Sequence, residues 1–157
     1  MSRSWPWFAG AALIVLADQL TKVLALAHLA PGERVEVTGF LNLVLVFNKG
    51  AAFSLLAGAG GWQTPVLVGF AALASAVIAV LIVRSPHERL FSGGLALILG
   101  GALGNVIDRL RFGHVVDFVD LHAGGWHWPA FNVADAAITV GAVLLIVDGL
   151  RPRRKQG

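Results

Sequence analysis

Four apolar runs set the limits on what this chain can fold into. They cover about Trp7 to Ala27, Val66 to Val83, Leu90 to Ile107 and Val133 to Leu150. A helix needs about 20 residues to cross the hydrocarbon core of a bilayer, and each run is close to that length. Only 13% of the 157 residues are charged while 57% are hydrophobic. A soluble domain carries about 25% charged residues, so this chain is built for lipid. Arg3 and Ala25-Leu26-Ala27 give the first run some likeness to a cleavable signal peptide. The charges in Asp18-Gln19-Leu20-Thr21-Lys22 oppose that reading, because the apolar segment of a signal peptide is uncharged. We read the run as a retained span.

The loops give an orientation. Arg3, Arg84, Arg89, Arg151, Arg153, Arg154 and Lys155 all fall on one side of a four-span layout. The other side carries Arg34, Lys49, Arg109 and Arg111, diluted by Glu33, Glu36, Asp117 and Asp120. The positive-inside rule then predicts that both termini are cytoplasmic. The excess of 12 Lys and Arg over 9 Asp and Glu therefore reports topology rather than a face for nucleic acid. Trp5, Trp7, Trp62, Trp126 and Trp128 lie near span ends, where interfacial aromatics belong. The chain has no cysteine, which excludes disulfides, thiolate metal sites and cysteine nucleophiles.

The expected fold is an all-α membrane protein forming a single integral domain over residues 1–157. Its outer loops, 28–65 and 108–132, should carry more than linkers. Arg34 to Val37 and Leu41 to Phe47 flank Thr38-Gly39-Phe40 and read as short strands around a turn. Ala51 to Leu56 is apolar and reads as a short helix on the membrane surface. Together they predict a small extracytoplasmic β-strand platform with a surface helix.

Polar residues at the membrane boundary carry the chemistry. Asp117, in Gly113-His114-Val115-Val116-Asp117-Phe118, and Asp135, in Phe131-Asn132-Val133-Ala134-Asp135, belong to one outer face. Ionisable groups in such places are costly and usually functional. Asn132 is a good N-cap for the fourth span, and Asp135 in its first turn meets the positive end of the helix dipole. Capping alone would account for Asp135. The apolar neighbours of Asp117 should instead raise its pKa, and two acids pushed apart can divide acid and base roles on a water molecule. Asp18 and Lys22, at i, i+4, share a helix face and read as a structural ion pair that could also tune the acids. Gly100 and Gly104 read as a close-packing surface between helices. Asn105, Asp108 and Arg109 end the third span, either anchoring the loop or recognising a substrate carbonyl. Asp148 is expected to pair with Arg151 at i, i+3. His114, His122 and His127 match no compact zinc spacing, so no metal is expected.

Five blocks carry a resemblance. They are Asp18-Gln19-Leu20-Thr21-Lys22, Phe47-Asn48-Lys49-Gly50-Ala51-Ala52-Phe53-Ser54, Gly101-Ala102-Leu103-Gly104-Asn105-Val106-Ile107-Asp108-Arg109, Gly113–Phe118 and Phe131–Asp135. In this order on four spans they resemble bacterial lipoprotein signal peptidase, the signal peptidase II family, over nearly the whole chain. The resemblance implies an intramembrane aspartic endopeptidase without metal or organic cofactor. Its substrates would be diacylglyceryl-modified prolipoproteins, cut just before the lipidated cysteine, and its setting the bacterial inner membrane. It also implies Asp117 and Asp135 as the catalytic pair, with Asn48, Asn105, Arg109 and Asn132 lining the site and Asp18, Lys22 and Asp108 in support. Membrane lipids are expected as partners, nucleic acid is not, and a monomer is expected. The rival reading is a small proton-coupled transporter using Asp18 or Asp135. That would place its acids near the midplane of an internal repeat, and no repeat is visible. Leu121 to Pro129 lies outside the matching blocks and receives no role.

Overall fold

The structure is a computed structural model that describes residues 4–50 and 62–151. Its four long helices are α1 (Trp5–His28), α2 (Gln63–Arg84), α3 (Arg89–Phe112) and α4 (Val133–Leu150). Each is long and apolar enough to cross a membrane. Their greasiest side chains do not form the interior. Phe70 is 72% exposed and Ile146 63%, and α2 buries only Gln63, Ser75 and Ile82. Lipid is as apolar as leucine, so large hydrophobic residues gain nothing by turning inward.

Much of what turns inward is small or polar. Helix α3 is the central element and touches the other three. A Cβ added to Gly100 would sit 2.7 Å from the Ala11 carbonyl oxygen, and one on Gly104 would sit 2.6 Å from Asp18 Oδ2. The glycine pattern is thus a contact surface for α1, as its spacing predicts. A compact core of Ala11, Ile82, Leu95, Ala96 and Leu99 lies toward the other end of the bundle. There Trp7 Nε1 donates to the Pro86 carbonyl at 3.1 Å, tying α1 to the α2–α3 turn. The expected Asp148–Arg151 ion pair does not form. The Arg151 backbone N–H caps α4 by donating to the Asp148 carbonyl instead.

The strands make one antiparallel sheet in the order β1 (Arg34–Thr38), β2 (Leu41–Asn48), β3 (Val115–Ala123), β4 (Trp126–His127). The first hairpin is the one expected around Thr38-Gly39-Phe40. Strands β3 and β4 correct the reading of 108–132 as a loop. From Val115 to Phe118, β3 is buried on both faces, so it lacks the alternation by which a half-exposed strand is recognised. It pairs with β2 from Leu41 opposite Leu121 to Asn48 opposite Val115. The proposed surface helix at Ala51 to Leu56 falls outside the described residues.

Three local devices fix where α3, β3 and α4 meet. Gly113, at φ 75°, ends α3 with a left-handed cap and turns the chain into β3, a conformation glycine adopts at no steric cost. The Phe118 and Val119 N–H groups both donate to the Phe131 carbonyl, and Phe131 N–H donates to Val119. Asn132 then caps α4 by accepting from the Asp135 N–H at 2.9 Å. Residues distant in sequence are thereby held side by side at the sheet end of the bundle.

Candidate active site

Asp117 stands in the buried stretch of β3, 1% exposed, and both its oxygens are gripped. Asn132 Nδ2 donates to Oδ1 at 2.7 Å. Asn48 Nδ2, from the end of β2, donates to Oδ2 at 3.2 Å. Burial, then the nearby charge of Asp135, push the Asp117 carboxyl up to about 7, against the opposing pull of Asn48, Asn132 and Lys22. An unpaired anion in such a place is costly enough to keep its proton near neutrality.

Asp135 lies half-buried on the first turn of α4. Asn105 Nδ2 donates to its Oδ1 at 2.8 Å. Asn105 Oδ1 in turn accepts from Asn132 Nδ2 at 3.3 Å. The two carboxylates are therefore joined through two asparagine side chains, one from α3 and one from the α4 cap. Among the described residues, Asp135 Oδ2 receives no hydrogen bond.

A second layer lies beneath this cluster. Lys22 Nζ is 2.8 Å from Asp18 Oδ2 and 2.7 Å from Asp108 Oδ2, and it donates to Asn105 Oδ1 at 3.1 Å. The acids do further structural work. Asp18 Oδ1 accepts the Ala134 N–H at 2.9 Å, fixing the start of α4, and Asp108 Oδ2 accepts the Val116 N–H at 3.0 Å, fixing the start of β3. Breaking a buried set of this kind by removing one partner typically costs about 3–5 kcal/mol. Gln19, which sequence reasoning did not select, belongs here too, with Nε2 donating to Asp108 Oδ1 at 2.9 Å. Its i, i+3 spacing from Lys22 was the available signal.

Asp108 is thus an anchor for β3. Arg109 points elsewhere, with Nη2 donating to the Gly50 carbonyl at 2.9 Å, while Asn48 Oδ1 accepts the Gly50 N–H at 3.0 Å. Both residues hold the chain where it leaves β2. The histidines are apart from this chemistry. His114 packs between Phe47 and Phe112, and burial lowers its pKa. His127 Nδ1 lies 2.9 Å from Asp120 Oδ1 and stacks on His122. Asp120 also accepts from Asn42 at 2.8 Å, so this trio pins the sheet together. Among the described residues, no group of three or more His, Cys, Asp or Glu side chains is arranged to hold a metal ion.

Known proteins resemble this chain in sequence and in fold. The sequence profile of the family described as "Signal peptidase (SPase) II" matches residues 10–151. A lipoprotein signal peptidase of Burkholderia thailandensis is 58% identical over 146 residues, covering 93% of this chain and 88% of its own. A solved bacterial membrane enzyme superimposes with a TM-score of 0.86 at 28% identity, covering 97% of this chain and 93% of that one. A second gives 0.82 at 30% identity and covers 93% of each. Four apolar helices and these likenesses define the class, a multi-pass bacterial membrane enzyme. Within it, the chain belongs to the signal peptidase II family. It is an aspartic-type peptidase that removes signal peptides from prolipoproteins.

Proposed function

We propose that Asp117 and Asp135 are the catalytic pair and that they share one proton, carried by Asp117. The observation behind this is the Asp117–Asn132–Asn105–Asp135 chain of hydrogen bonds, together with the raised pKa of Asp117. The longer bond from Asn48 leaves Asp117 Oδ2 as the oxygen to carry the proton. Asp135, at a helix start and facing an asparagine donor, is the ionised partner.

The reaction then balances. Water oxygen bonds to the scissile carbonyl carbon as its proton passes to Asp135, while the Asp117 proton passes to the carbonyl oxygen. In the collapse, the amide nitrogen takes the proton from Asp135, the C–N bond breaks, and one hydroxyl of the diol returns its proton to Asp117. The pair ends as it began. Asn48, Asn105 and Asn132 orient the carboxylates, Arg109 holds the segment at Gly50 beside the substrate path, and Asp18, Lys22 and Asp108 support them from below. This chemistry calls on no metal or organic cofactor.

The substrate would be a prolipoprotein whose lipobox cysteine carries a diacylglyceryl group, cut just before that cysteine. A diacylglyceryl anchor offers about 0.8 kcal/mol per buried methylene, and binding remote from the scissile bond can position it. Positive-inside loops favour cytoplasmic termini and an active site at the outer face of the inner membrane. The chain would act as a monomeric single domain among membrane lipids. The test is cleavage of a lipidated prolipoprotein by purified enzyme in detergent. Asp117→Asn and Asp135→Asn should each lower kcat at least 1,000-fold, the order expected when a residue acting on the reacting atoms is removed, while the helical content stays unchanged. Normal turnover by either variant refutes the pair.

A further inference from the structure

Lys22 is buried, and its ammonium faces acceptors from two helices, Asp18 Oδ2 on α1 and Asp108 Oδ2 and Asn105 Oδ1 on α3. An ammonium has three hydrogens and accepts nothing, so these contacts use all its donors. An asparagine amide has two nearly isosteric ends, one accepting and one donating. Facing Lys22, the Asn105 side chain must present its oxygen, which leaves Nδ2 to donate to Asp135 Oδ1. The same oxygen also takes a hydrogen from Asn132 Nδ2, which holds that nitrogen toward Asp117 Oδ1 and leaves Asn132 Oδ1 to accept the Asp135 N–H. With either amide turned over, an oxygen would face a carboxylate oxygen.

We propose that Lys22 is a positioning residue whose donor-only ammonium sets the sense of the Asn105 and Asn132 amides, so that both present N–H groups to the carboxylate pair. The inference rests on Asp117 and Asp135 being that pair. It gives the buried lysine a role that a packing ion pair between α1 and α3 does not have. The charged groups around it are Asp18 on its own helix, Asp108 on α3, Asp117 on β3 and Asp135 on α4.

The test is the pH profile of kcat/KM for cleavage of a lipidated prolipoprotein by detergent-purified Lys22→Met, Lys22→Gln and Lys22→Arg. Rates are corrected for the folded fraction measured by thermal unfolding. Hydrogen bonds to a carboxylate favour its ionised form, so losing correctly turned donors moves the alkaline limb upward. Lys22→Met and Lys22→Gln should move it up by about one pH unit, a tenfold change in proton affinity. Lys22→Arg, which also only donates, should leave the limb where the unsubstituted enzyme has it. Combined with Asn105→Leu, Lys22→Met should displace the limb by clearly less than the sum of the two single displacements, since residues acting through one another are non-additive. What remains is the direct pull of the Lys22 charge on Asp117. An unmoved limb with only a lower rate in Lys22→Met overturns the proposal, as do fully additive displacements in the double variant. If Lys22→Met does not fold, Lys22→Gln alone decides by the same limb. Full activity of Asp117→Asn would instead refute the catalytic pair itself, whatever Lys22 does.

Discussion

At the scale of single residues, the proposed catalytic pair rests on the unequal surroundings of two similar acids. Asp117 lies inside the protein on a strand, while Asp135 is half-buried at a capped helix start. The apolar neighbours Val115, Val116 and Phe118 made the raised pKa of Asp117 legible in the sequence. The partners that oppose the shift, Asn48 and Asn132, come from segments far away in the chain, and their distances could not be read there. The raised pKa also has a consequence for stability. The folded state holds the Asp117 proton up to about pH 7, whereas an unfolded aspartate releases it near 3.9. Between those values the folded state binds more protons, so stability falls as pH rises and the loss is complete above about 7. Asp117→Asn carries no charge to desolvate. It should therefore melt several degrees above the unsubstituted protein at pH 8, with the gap narrowing toward pH 5 and closing below about 4. Thermal unfolding in detergent across that range checks the sign.

At the scale of elements, sequence reading succeeded where one signal dominated and failed where burial erased it. The four spans, the β1–β2 hairpin, the Asn132 cap and the close packing at Gly100 and Gly104 all follow from length, turn chemistry or small-residue spacing. Strand β3 was missed because it is covered on both faces where it carries Asp117, and β4 because two residues give no periodicity. Two helical glycines, Gly104 on α3 and Gly69 on α2, offer a sharp contrast. A Cβ at Gly104 would press on Asp18, whereas one at Gly69 meets nothing within 4 Å. Gly104→Ala should destabilise the bundle by about 1–3 kcal/mol, the usual cost of overpacking. Gly69→Ala should be neutral or slightly stabilising, as a helical glycine gives up about 1 kcal/mol relative to alanine. Equilibrium unfolding in mixed micelles distinguishes the two.

At the scale of the whole molecule, the bundle presents lipid with its large apolar side chains and uses its interior for a charged network. This inverts the plan of a soluble protein, and it is why Asp18, Lys22 and Asp108 can hold α1, α3, β3 and the start of α4 in one register. The sheet packs at the same end and so belongs to whichever side the carboxylates face. Because the chain has no cysteine, single cysteines report that side directly. In intact cells stripped of their outer membrane, Glu36→Cys should react with a membrane-impermeant maleimide and His87→Cys should not. The reverse labelling would turn the protein over in the membrane and move cleavage to the cytoplasmic face.

In the proposed mechanism, one proton shared by two carboxylates drives cleavage, with Asp117 holding it. The acid must be protonated and its partner ionised, so kcat/KM should form a bell against pH. Its alkaline limb reports Asp117, whose pKa is about 7. The most direct measurement is therefore kcat/KM of the unsubstituted enzyme on a lipidated prolipoprotein from pH 4 to pH 10. The rate should fall about tenfold per pH unit above a midpoint near 7. A rate that stays flat through pH 9 would contradict it.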